Sequence, residues 1–251
     1  MTLQELLDEL KLNILHDRSD RVSGTSDWLW SDESLVRYID QAYRRFARRT
    51  LCIRDKTMTV TLKTGVTEYA LDPSVLGVIS AKLSTDIADL ARAGHAQLDT
   101  YHMPDTYFWD PSQLSTLAPG KPLAFTTDET LGTDDNDSTA VVDFRVYPAP
   151  SSDYNNATIN LRVIRLPCAH LTTADMSMVP EIPEDHHLEI LDWAAYLALR
   201  IVDVDGGMPA LADKFKATFE ENVTLARNAA LRKIFTPLQF GFGRNGFSWE
   251  R

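Results

Sequence analysis

The chain has 251 residues, 44% of them hydrophobic and 24% charged, and a formal net charge of −11; this is the composition of an ordinary globular protein long enough to bury one large core or two small ones. Its acidity sets most of the surface against phosphate, which argues against a sequence-reading nucleic-acid binder and permits a protein that surrounds DNA without gripping it. No apolar run approaches the roughly 20 residues that span a bilayer, and "MTLQELLDELKLNIL" has acids where a signal peptide has a basic start, so the chain is expected to stay in the compartment where it is made. Cys52 and Cys168 are far apart, with no CxxC and no neighbouring histidine, a pattern that fits reduced thiols better than a disulfide or a zinc site.

Taken in chain order, residues 2–16 carry Leu3, Leu6, Leu7, Leu10, Leu12 and Leu15 at helical spacing, ending before the polar "DRSDRVSGTSD". A second helix follows in "WSDESLVRYIDQAYRRFARRT" (30–50). Ser31 is placed to cap it, Asp32 and Glu33 occupy the first turn, and arginines crowd the last turns, as the helix dipole prefers. At 100° per residue, Leu35, Ile39, Ala42 and Phe46 fall within about 60° of one another, while Arg37, Arg44 and Arg48 gather opposite them. Two readings fit that cationic face: a solvated surface that complements the C-terminal carbonyls, or a surface that meets an acidic partner. Arg45 and Arg49 lie nearer the apolar edge, where internal pairing is expected.

From Thr57 the pattern alternates. Strands are predicted in "TMTVTL", "TEYALDP", "VLGVISAKLS", "KPLAFTTD" (121–128), "TAVVDFRVYPAP" (139–150) and "ATINLRVIRLP" (157–167), the last two forming a hairpin or meander. Residues 86–117 read as a short helix followed by a long loop bearing Tyr101, Tyr107, Phe108 and Trp109. Helical periodicity returns after "VPEIPEDHH", with Pro183 in a first helical position and the helix running to Val202. Its circumference is almost wholly apolar apart from Glu189, Asp192 and Arg200, which places it at the centre of a bundle. A last helix spans about 210–234, with Leu211, Phe215, Phe219, Ala226 and Ala230 on one side.

The expected fold is therefore α+β. Helices of residues 1–56 and 168–234 form one bundle, an antiparallel β region of residues 57–167 is inserted between them, and residues 235–251 form an extended tail. The tail, "TPLQFGFGRNGFSWER" after Phe235, combines three glycines with Phe240, Phe242, Phe247 and Trp249. Either it folds back over its own core, or it is an arm that docks its rings into a neighbouring subunit or partner.

Catalytic constellations are weak. His186 and Glu189 stand three residues apart without an HExxH motif or a third ligand, and His186 and His187 read as a solvent-facing helix start. "DVDGG" (203–207) opens like a calcium loop but lacks the later acids, so it reads as a turn, and "DDND" (134–137) reads as a solvated hairpin tip. There is no GxGxxG, GxxxxGK[ST] or GxSxG. No catalytic, cofactor or metal residue is assigned, and the chain is read as a non-enzyme.

In order along nearly the whole chain, the pattern resembles the head-to-tail adaptor (connector) proteins of tailed bacteriophages. The resemblance is carried by "WSDESLVRYIDQAYRRFARRT", by the β region with "DFRVYPAP", and by "VPEIPEDHHLEILDWAAYLALRIVD", a proline-punctuated entry into a buried alanine-rich helix. It implies a structural virion protein of the neck, made in the host cytoplasm, that forms a ring, commonly dodecameric, beneath the portal. The partners it implies are the portal protein, neighbouring copies of the chain and a tail or nozzle/stopper protein, with DNA passing non-specifically close in the channel, no membrane and no cofactor. Within that frame, Arg37, Arg44, Arg48, Phe240, Phe242, Phe247 and Trp249 are the candidate partner-interface residues. The alternatives are another phage connector, a stopper or tail-terminator ring, and a carbohydrate-binding or hydrolytic domain that stacks sugars on the aromatic loop 101–109.

Overall fold

A computed structural model describes residues 1–17, 30–92, 118–131, 140–200 and 208–234. The aromatic loop 101–109, "DDND", "DVDGG" and the tail with Phe240, Phe242, Phe247 and Trp249 lie outside the described residues.

Helix α1 (Leu3–Glu9) opens with a reciprocal cap: the Thr2 hydroxyl accepts the Glu5 N–H at 3.3 Å, and the Glu5 carboxylate accepts the Thr2 N–H at 2.9 Å. The expected single helix over residues 2–16 does not continue. Residues Leu10–Ile14 form a π-helical turn in which the Leu15 N–H donates to the Leu10 carbonyl at 2.9 Å. The wider turn changes the phase of the leucine pattern. Leu3, Leu6, Leu7 and Leu10 are buried, Leu12 faces out at 43% exposure, and Lys11 is carried inward to pair with Asp32.

Helix α2 (Asp32–Thr50) starts where the capping residues require, with the Ser31 hydroxyl accepting the Ser34 N–H at 3.3 Å. It stops at Leu51, whose backbone is left-handed at φ 56° and whose N–H returns to the Ala47 carbonyl. Helix α3 (Glu189–Leu199) begins later than Pro183 suggests. Pro183 has an extended ψ of 141° and precedes a single 3₁₀ turn over Glu184–His186. Helix α4 covers Pro209–Ile234. The four helices share one apolar core, in which Phe219 of α4 sits 6.1 Å ring to ring from Phe46 of α2 and 5.2 Å from Trp193 of α3.

The strands make two sheets. In the first, β8 (Thr158–Arg165) is central, with β4 (Val75–Leu83) along one side and β1 (Arg54–Asp55) and β2 (Thr59–Thr61) end to end along the other, all antiparallel. In the second, the order is β3 (Glu68–Ala70), β7 (Ala140–Tyr147), β6 (Ala124–Leu131) and β5 (Ala91–Arg92), with β5 parallel to β6 and the other pairs antiparallel. Alternate residues of each sheet point into a common core: Ile159, Leu161 and Val163 from one, Phe125, Phe144 and Val146 from the other.

Two expectations fail here. The strands β7 and β8 do not pair: β7 joins β6 and β8 joins the other sheet. Pro148 and Pro150 lack the N–H groups a continuing ladder needs, and the 3₁₀ turn Ser152–Tyr154 carries the chain across to the facing sheet. Among the described residues of the stretch read as a short helix, 86–92, there is no helix. Asp86 closes a turn on the Leu83 carbonyl, and the chain then enters β5.

Candidate functional site

The apolar stripe of α2 decides which arginines are free. Leu35, Val36, Ile39, Ala42, Tyr43, Phe46 and Ala47 are buried, so the helix is fixed in rotation and its polar residues are sorted by angle. On one flank, Arg49 donates to both carboxylate oxygens of Glu220 on α4, at 2.6 and 2.5 Å. That bond raises the arginine above its ordinary pKa and holds Glu220 below the usual carboxylate range. Arg45, 3.9 Å from the same glutamate, lies with its guanidinium 4.0 Å from the centre of the Trp193 ring. These two arginines therefore tie α2 to α3 and α4, as their angular position leads one to expect.

The opposite flank is different. Arg37, Gln41 and Arg48 are exposed and Arg44 is half-buried. Arg37 lies over the ring of its neighbour, 5.8 Å from the Tyr38 centroid. Among the described residues neither Arg44 nor Arg48 has a hydrogen bond or an ion pair. A rigid helix thus presents planar cationic donors along one line, suited to carboxylates or another flat anionic group. The aromatic candidates Phe240, Phe242, Phe247 and Trp249 lie outside the described residues, so the structure does not bring them to this face.

The histidine pair departs from its sequence reading. His187 is 2% exposed; its Nε2 lies 3.1 Å from the Ile182 carbonyl oxygen, which can only accept, so the ring proton is on Nε2 and Nδ1 faces the Met1 amino group at 3.1 Å. It is a buried structural group, drawn in by the 3₁₀ turn that replaces the first turn of an α-helix. His186 pairs with Glu189 at 2.7 Å and packs on Phe46. Next along α3, burial pushes the Asp192 carboxyl up to about 6, against the opposing bond from Asn222 at 3.2 Å. Among the described residues no group of three or more His, Cys, Asp or Glu side chains could hold a metal ion. Cys52 and Cys168 are free thiols.

A network that sequence reasoning missed joins the helices to the first sheet. Arg165 at the end of β8 donates to Asp55 of β1 at 2.9 Å and to Glu181 at 2.6 Å. Glu181 accepts the Cys168 N–H at 2.8 Å, and its own N–H donates to the Tyr43 hydroxyl of α2 at 2.8 Å. Burial pushes the Tyr43 phenol far above its ordinary value. Asp40 of α2 adds a second clasp on the same connection, accepting from the Leu171 N–H at 2.9 Å and lying 2.8 Å from the His170 ring. The partners are 13 to 138 residues apart in sequence, and no local motif marks them.

Rigid helices clasped to a two-sheet β region, with an outward cationic helix face and no metal-binding cluster among the described residues, form a scaffold for contacts. The family model of the SU10 adaptor protein matches residues 1–238. The chain belongs to this family. A search of curated protein sequences finds no match. SU10 adaptor proteins are bacteriophage head-to-tail adaptors, so the arginine face of α2 belongs to a virion component whose contacts are with other parts of the phage particle. The match ends before Phe240, so family membership says nothing about the four aromatic tail candidates. Among the described residues no helix is long and apolar enough to cross a membrane.

Proposed function

We propose that this adaptor is a non-enzymatic neck protein that assembles as a ring, dodecameric by resemblance to its family, between the portal and a tail or nozzle/stopper protein. DNA passes through the centre without sequence-specific contact, and an acidic chain favours such passage. The helices of residues 1–56 and 168–234 act as one bundle that forms the body of the subunit, the inserted region 57–167 projects from it, and the tail 235–251 reaches a partner. The observation that carries this reading is the division of the α2 arginines: two are consumed inside the subunit, while Arg37, Arg44 and Arg48 point outward from a rotationally fixed helix. That face meets a neighbouring adaptor subunit or the portal.

Native mass spectrometry of the chain with the portal ring from the same genome tests the proposal. Several copies added to each portal are expected. A chain that ignores the portal at micromolar concentration overturns it.

A further inference from the structure

We infer that the arginine face of α2 docks on the acidic outer face of α1 in a second copy of this chain; the inference rests on the ring assembly proposed above. Helix α1 turns Glu5 and Asp8 to solvent, with Glu9 half-buried beside them. Among the described residues their partners are uncharged: Glu5 caps the Thr2 N–H, Asp8 accepts from Gln4 at 2.9 Å, and Glu9 accepts from Asn13 at 2.6 Å. The lysine of this segment, Lys11, is buried and already paired with Asp32. The π-helical turn that carries Lys11 inward is what leaves the outer face of α1 without a base.

One helix thus presents carboxylates without cations, while on the next Arg37, Arg44 and Arg48 outnumber the exposed Glu33, and Asp40, between Arg37 and Arg44, is engaged by the Leu171 N–H and the His170 ring. Exposed residues of α4 offer no such surface, because Asp213 and Glu221 are interspersed with Lys214, Lys216 and Arg227. Within one subunit the two faces form no ion pair with each other among the described residues. They are also different surfaces, so a contact between them is heterologous: each copy uses its α2 on one neighbour and its α1 on the other. Repetition of a heterologous contact closes into a ring when the rotation permits, whereas two arginine faces meeting each other would repel. Because both faces are solvent-accessible, the attraction is screened by salt.

Charge reversal in both directions tests this by sedimentation velocity at low ionic strength. The variants are Arg44→Glu/Arg48→Glu and Asp8→Lys/Glu9→Lys; Glu5 is spared because it caps α1. Wild type is expected to associate beyond the monomer and to weaken as salt is added. Each variant alone, folded by circular dichroism, should associate roughly tenfold more weakly or worse, and an equimolar mixture of the two should recover association, because each then supplies the face the other lacks. Unchanged association of either folded variant overturns the inference, as does a mixture that stays dissociated or a wild type that remains monomeric. Portal binding is scored separately: variants that still load on the portal in wild-type number refute this docking mode and leave the adaptor ring standing. A wild type that neither self-associates nor binds the portal removes both.

Discussion

Two carboxylates show how local surroundings set opposite responses to pH. Asp55 is held down to about 2 by the Thr57 hydroxyl and N–H, at 2.6 and 2.7 Å, and then by the Arg165 guanidinium. Its folded value lies below its ordinary one of 3.8, so its contribution is present above about pH 4 and disappears as pH falls through 2. Asp192 is raised to about 6, chiefly by burial, so folding favours its protonated form and stability declines as pH rises from 3.8 through 6. Asp55→Asn should therefore be less stable than wild type at neutral pH, by about 1 kcal/mol after solvent screening, with the gap closing below pH 4. Asp192→Asn should be more stable at pH 7.5, by about 1–2 kcal/mol or roughly 2–8 °C in Tm, with the gap closing near pH 4. Thermal melts across pH 3–8 decide both, and a gap of constant size across that range would show that the titration is not the cause. Arg165 is a harder residue to lose, because Asp55 and Glu181 both depend on it. Arg165→Met should cost about 2–4 kcal/mol, read from the urea midpoint, since it strands two partly buried carboxylates.

At the scale of elements, α2 was legible almost residue by residue, because what defines it lies within its own 19 residues and the Ser31 that caps them. The Ser31 cap, the apolar stripe and the angular separation of Arg45 and Arg49 from Arg37, Arg44 and Arg48 are all local consequences of a 100° step. The strand segments were legible too, but their partners were not. Pairing of β7 with β6, and of β8 with β1, β2 and β4, depends on contacts up to 110 residues apart and on two prolines whose effect is to end one ladder without naming the next. The π-helical turn escaped for another reason: it changes the phase of a leucine pattern that remains consistent with a plain helix until Lys11 and Leu12 exchange environments. Helix α4 is coupled to α2 and α3 through Phe219, fully buried between Phe46 and Trp193. Phe219→Ala should cost about 3–5 kcal/mol. It should also loosen the Arg45 and Arg49 contacts to Glu220 one helical step away, so that added salt destabilises the variant less than wild type; equal salt sensitivity would separate the core from the ion pairs.

For the molecule as a whole, the division of labour between a folded body and its extremity is the remaining question that a single deletion answers. The last described helix ends at Ile234, and Arg54 of β1 donates to the Ala230 carbonyl at 2.5 Å, tying the last turns of that helix to the first sheet. Whatever follows Ile234 therefore leaves from the junction of the helices with the β region. Four large rings in a stretch with three glycines are costly to leave in water and poorly suited to a helix, so they need a surface, either the chain's own or another's. If that surface is another's, a chain truncated after Ile234 keeps its Tm within about 2 °C, because loss of a segment with no intramolecular contacts changes stability by less than about 1 kcal/mol, yet it no longer loads onto the portal. If the tail covers its own core, truncation lowers Tm by several times that amount and binding falls only with folding. Scanning calorimetry and native mass spectrometry on the same truncated protein distinguish the two, and an unchanged Tm with unchanged loading excludes an interface role for Phe240, Phe242, Phe247 and Trp249.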